Sequence, residues 1–174
     1  MMRSQSILGK IAVVLIALGA ATSVTVAMAD RQVWPHSAWH QDRYRAVAQY
    51  VRLHTQPDAR VFVWGNSPEI YLYAHRRMAT RYTSVNYQTG HVWGTSANDL
   101  GGHPDRDNVP AETWNKLMAD LQSNLPEFIV DAAAGRLDKM DDEPISRHPR
   151  MAAFVARHYQ LEETVLGVPI YRRK

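Results

Sequence analysis

The chain has 174 residues, and an apolar amino-terminal stretch leaves about 140 for folding, enough for one ordinary domain with a modest core and too few for two. Its 20 Lys and Arg against 17 Asp and Glu become 18 against 17 once Arg3 and Lys10, which precede that stretch, are set aside; the folding part is nearly neutral, and its basic residues are too interleaved to make a nucleic-acid footprint. Cysteine is absent, which excludes disulfides and thiolate zinc sites.

Ile11 to Ala29 runs without a charged residue, just long enough to cross a bilayer core as a helix. The ending Ala27-Met28-Ala29 also fits a signal-peptide cleavage site, while the length of the run exceeds a usual signal core and favours a retained anchor. In both cases the basic residues before it place the remainder of the chain on the far side of the membrane from the cytoplasm. Residues 1–10 are then a cytoplasmic amino terminus, 11–29 the anchor, 30–40 an interfacial linker and 41–174 an extracytoplasmic domain.

Trp34 and Trp39 come soon after the apolar run and suit the headgroup region, since indole joins an apolar body to one donor. His36 and His40 have metal-ligand spacing but no neighbouring third ligand, so they read as surface histidines. Gln41 to His54 is an amphipathic helix, with Ala46, Val47, Tyr50 and Val51 inward and Arg43, Arg45, Gln49 and Arg52 outward.

The chain is organised around the next unit, Arg60 to Arg81. Arg60–Trp64 is a short β-branched and aromatic strand, Gly65-Asn66 is turn chemistry, and Ser67-Pro68-Glu69 starts a helix with Ser67 as its cap. Such a unit predicts a sheet with helices packed on it. A second strand is expected over Thr80–Val85, near a sheet edge. Asn86 to Asn108 then reads as a long loop, and loops of that length are usually functional surfaces; Trp93 sits in it as a candidate contact for a partner or lipid. Asp105, Asp107 and Asn108 resemble the start of a calcium loop without its later glycine and glutamate.

Ala111–Asn124 is the clearest helix, with Trp114, Leu117, Met118 and Leu121 as one stripe. Glu127–Asp131 is a strand expected beside Arg60–Trp64. Asp138, Asp141, Asp142 and Glu143 read as a solvated acidic turn. Pro149–His158 is the last helix, and Tyr159–Val165 with Val168–Arg172 forms a hairpin that closes the sheet. The predicted fold is α/β: one transmembrane helix, then a small Rossmann-like three-layer domain with a mostly parallel sheet and a carboxyl-terminal hairpin.

Ligands of open α/β sheets bind beyond the carboxyl ends of the strands, which makes Asn66, Ser67 and Asp131 weak ligand candidates. The glycine-rich dinucleotide and phosphate-loop patterns are missing, and Ser67 lacks the G-x-S-x-G context. No catalytic, cofactor-binding or metal-binding residue is therefore assigned, and no cofactor is expected.

RVFVWGNSPEIYLYAHRRMATRY, DLQSNLPEFIVD and HYQLEETVLGVPIYRR together resemble the extracytoplasmic carboxyl-terminal domain of polytopic bacterial glycosyltransferases that use polyprenyl-phosphate sugars, similar to protein mannosyltransferases and aminoarabinose transferases. The likeness covers residues 41–173 and implies the fold and a periplasmic location at the cytoplasmic membrane. The acidic catalytic residues of that family lie in a multi-span region with no counterpart in this sequence. The expected function is a non-catalytic accessory or structural subunit of a larger membrane complex, with other integral-membrane subunits as partners. Alternatives are a detached glycosyltransferase-like module that binds a sugar or lipid-linked sugar, and a secreted binding protein.

Overall fold

The computed structural model describes residues 35–90, 109–138 and 140–174, with side chains from Gln41 onward. The Ile11–Ala29 segment, Trp34, Trp93 and Asp105–Asn108 lie outside the described residues, and Trp39 lies within a helix whose side chains begin to be described only after it. Among the described residues, no helix is long and apolar enough to cross a membrane. Gln41–Lys174 forms one compact unit.

Helix α1 (Pro35–Leu53) leads into β1 (Arg60–Trp64), α2 (Glu69–Ala74) and the two-residue strand β2 (Arg77–Met78). A single-turn helix α3 (Asn86–Thr89), then α4 (Ala111–Asn124), β3 (Phe128–Asp131) and a 3₁₀ turn (Ile145–Arg147) come next. Helix α5 (Pro149–His158) and the hairpin β4 (Tyr159–Val165) and β5 (Val168–Arg173) complete the chain.

The five strands form one sheet in the order β2-β1-β3-β5-β4. Alternation along β1 explains the layers. Val61 and Val63 pack with Val47, Ala48 and Val51 of α1 and Ile70 and Ala74 of α2, whereas Phe62 and Trp64 pack on the other face with Leu117 and Leu121 of α4 and Met151 and Phe154 of α5. Successive strand side chains point to opposite faces, so a strand covered on both sides reads as one continuous apolar run. Each large side chain buried this way contributes about 1.5–3 kcal/mol. The three-layer α/β arrangement and the closing hairpin are as expected.

Four expectations need correction. The sheet is mixed, since β1 pairs parallel with β2 and β3 while β5 pairs antiparallel with β3 and β4. The edge strand is Arg77–Met78, and residues 80–85 form bends. There the backbone groups are held locally: the Arg81 amide donates to Asp120 Oδ2 at 3.0 Å, Thr80 Oγ1 to the Tyr82 carbonyl, and the Val85 amide to the Gly65 carbonyl. The long loop begins with α3, whose Gln88 and Thr89 are buried.

Arg43 is the fourth. It is buried, and its guanidinium donates to the carbonyls of Gly135, Arg136 and Leu166, tying α1 to two turns that have no ladder partners for those carbonyls. Arg76 does the same for the end of α1, donating to the Arg52 and Thr55 carbonyls at 2.8 Å, where helix geometry leaves carbonyls without intrahelical donors.

Candidate functional site

Trp64 and Asp131 stand opposite each other in the parallel register, so β1 and β3 end side by side. Beyond that edge the chain turns at Gly65, whose φ of +134° suits only glycine. A Cβ there would lie 2.7 Å from Asp138 Oδ2 and 3.1 Å from the Ala132 methyl. The turn is closed by Asp138. Its Oδ2 accepts from the Asn66 amide and from Ser67 Oγ at 2.8 Å, and its Oδ1 accepts from the Met140 amide at 3.0 Å. Ser67 is thus not the helix cap expected from sequence: Pro68 is the residue before α2, without a side-chain cap, and the Ser67 hydroxyl turns to Asp138 instead.

Asp131 performs the matching task for β3. Its Oδ1 accepts from the Ala134 amide and its Oδ2 from the Ile145 amide, both at 3.0 Å. Burial pushes its pKa up to about 6, outweighing the two amides that favour the charged form. Burial likewise raises the pKa of Asp138 above the usual carboxylate range, against the stabilising donors Asn66, Ser67 and Met140.

The three residues singled out from sequence, Asn66, Ser67 and Asp131, therefore converge on one place. Asp138 binds Asn66 and Ser67, and Glu143 lies nearby against Trp64 and His148; both come from a cluster read as a solvated turn. That reading holds for Asp141 and Asp142, which are exposed, and fails for Asp138 and for Glu143, which is 0% exposed. Loop carboxylates carry no periodicity to reveal which of them points inward. Among the described residues, no group of three His, Asp or Glu is placed to hold a metal ion.

Next to this closed edge lies an open one. A cavity of about 360 Å³ is lined by Gln88, Val109, Trp114, Glu143, Arg147, His148 and Arg150, among others. Its floor is aromatic: the His148 ring lies 4.8 Å from the Trp64 ring and 5.6 Å from Trp114, centroid to centroid. His148 Nε2 is 2.9 Å from Glu143 Oε2, and the Glu143 carbonyl accepts from Trp64 Nε1 at 2.7 Å. The Arg150 guanidinium stands 5.8 Å from the Trp114 ring and donates to Asn115 Oδ1 at 3.0 Å, while Arg147 donates to the Asp142 carbonyl. Gln88 is 2% exposed, and its Oε1 has no hydrogen-bond partner among the described residues.

Sequence reasoning missed this cavity because its lining comes from α3, α4 and the turn before α5, widely spaced segments whose convergence is a tertiary fact. Of the lining, only Trp114, as one side of a helical stripe, and Glu143, as part of an acidic turn, stood out.

No family model matches the chain, and no curated protein or solved structure proved significantly similar to it.

Proposed function

We propose that residues 41–174 are a Rossmann-like extracytoplasmic domain, anchored by the Ile11–Ala29 segment, that serves as a non-catalytic accessory subunit of a membrane-bound complex. The machinery suggested by the resemblance is one that transfers sugars from polyprenyl-phosphate donors. The observation behind the non-catalytic reading is the occupied strand edge. Both carboxylates there are engaged within the fold, Asp131 by the Ala134 and Ile145 amides and Asp138 by the Asn66 and Met140 amides and the Ser67 hydroxyl, which supports a role in holding the loops together rather than in meeting a substrate. Thr89, the one hydroxyl among the described residues of the neighbouring cavity's lining, is turned to the Val85 carbonyl at the start of its own helix, which supports a structural rather than a nucleophilic role. The Trp34/Trp39 region and the Trp93 loop are the contact surfaces favoured by their composition.

Purification of the full chain in mild detergent tests this reading. Recovery with other integral-membrane subunits is the expected result, and a monomer that leaves the membrane and carries no such partner would overturn it. The cavity favours a second reading, the ligand-binding module. Deletion then abolishes glycan transfer while the membrane complex still assembles, whereas loss of assembly marks a structural subunit.

A further inference from the structure

We propose that the cavity between α3, α4 and the start of α5 binds a phosphate ester that carries neighbouring hydroxyl groups, a sugar phosphate or a glycerol-phosphate headgroup. The claim rests on the cavity alone and holds whether or not the domain belongs to a membrane complex.

The chemistry of the lining is sorted by position. Arg147 and Arg150 supply the cations, each exposed and each with N–H donors left over among the described residues, since a guanidinium has five and only one is engaged there in each case, by the Asp142 carbonyl and by Asn115 respectively. They flank the first turn of α5, a ten-residue helix that begins at Pro149, where backbone amides without intrahelical partners and the positive end of the dipole also favour an anion. Planar guanidinium groups in pairs fit phosphate oxygens better than point charges do.

The buried end has the opposite polarity. Gln88 presents an amide oxygen that lacks a donor among the described residues, and Glu143 adds a carboxylate held against His148. A buried acceptor without a donor costs about 1–3 kcal/mol, which a hydroxyl of the ligand would recover. A bare phosphate does not match this end, because it brings acceptors to acceptors. A neutral polyol leaves the arginines unused. A molecule with a phosphate at one end and hydroxyls at the other satisfies both, and the face of Trp114 suits the C–H face of its carbon skeleton. The volume of about 360 Å³ falls in the range of small-molecule clefts.

Calorimetric titration of the full chain in detergent tests the assignment with glucose 1-phosphate, glucose and inorganic phosphate. Glucose 1-phosphate should bind about tenfold or more tighter than either fragment, because it alone uses both ends. Arg150→Gln should weaken glucose 1-phosphate by about tenfold, the worth of a charge-assisted hydrogen bond. Gln88→Leu should weaken glucose 1-phosphate while leaving the weaker binding of inorganic phosphate unchanged, and Arg157→Gln, on the same helix outside the cavity, should change nothing. Should a variant fail to fold, indole and imidazole resonances of Trp114 and His148 in the unmodified protein give the same answer, since both must shift on titration. Competition by phosphatidylglycerol in the micelle assigns the ester to a lipid headgroup, and its failure to compete assigns it to a soluble ester; either supports the site. Equal affinity for inorganic phosphate and glucose 1-phosphate, or binding that is indifferent to Arg150 in a folded variant, overturns the proposal.

Discussion

Ser67 Oγ donates to Asp138 Oδ2 across 2.8 Å, joining the turn after β1 to the loop after β3, 71 residues later in the chain. The same carboxylate oxygen takes the Asn66 amide, so this one residue fixes the shape of the strand-turn-helix unit from outside it.

Removing Asp138 should therefore cost more than removing Ser67. Asp138→Ala leaves two amides and a hydroxyl without an acceptor and should destabilise the domain by about 2–4 kcal/mol, against about 1 kcal/mol for Ser67→Ala. Urea denaturation of both single variants and the double variant should give a coupling of about 0.5–3 kcal/mol, because the two groups share one hydrogen bond. Strict additivity would show that the contact is not formed in solution.

Asp131 imposes a pH dependence of definite sign. Its pKa, about 6 when folded, lies above the ordinary carboxylate value of 3.8, so the folded state binds the proton more tightly than the unfolded chain. The linked term is absent below about pH 4, where both states are protonated, and reduces stability progressively between about pH 4 and 6, reaching about 3 kcal/mol above that window. Asp120 acts in the opposite sense, since its hydrogen bond from Arg81 holds its pKa below the usual value and stabilises the fold until the pH falls toward that pKa. Denaturation midpoints from pH 3 to 8 for the parent and Asp131→Asn separate the two. The variant should lose the decline between about pH 4 and 6, and an unchanged profile would show that Asp131 titrates normally.

Arg43 makes the most demanding test of the packing. Arg43→Lys keeps the charge but cannot reach the Gly135, Arg136 and Leu166 carbonyls with one compact ammonium, and should cost about 2–3 kcal/mol. Arg45→Lys, at an exposed position on the same helix, should stay within about 0.5 kcal/mol. Thermal unfolding of the two variants side by side checks this, and equal effects would refute the interior role given to Arg43.

How much of this was legible in the sequence depends on the range of the interactions involved. Local chemistry sets the elements: the apolar run of Arg60–Trp64, the turn at Gly65, the stripe of Ala111–Asn124 and the Leu166-Gly167 hairpin all appear where their residues imply. A period of two or 3.6 repeats within a few residues, so it can be read from the chain alone. The same patterns placed Asn66, Ser67 and Asp131 at the carboxyl edge of the sheet. What the tertiary structure alone decided is the direction in which polar side chains turn. Arg43 lies inward although Asp42 and Arg45 beside it are exposed, Asp138 is half-buried and Glu143 buried although Asp141 and Asp142 are exposed, and residues 80–85 leave the sheet where a distant Asp120 holds the Arg81 amide. Most buried polar groups sit where partners arrive from elsewhere in the chain, and those partners are fixed when the layers pack.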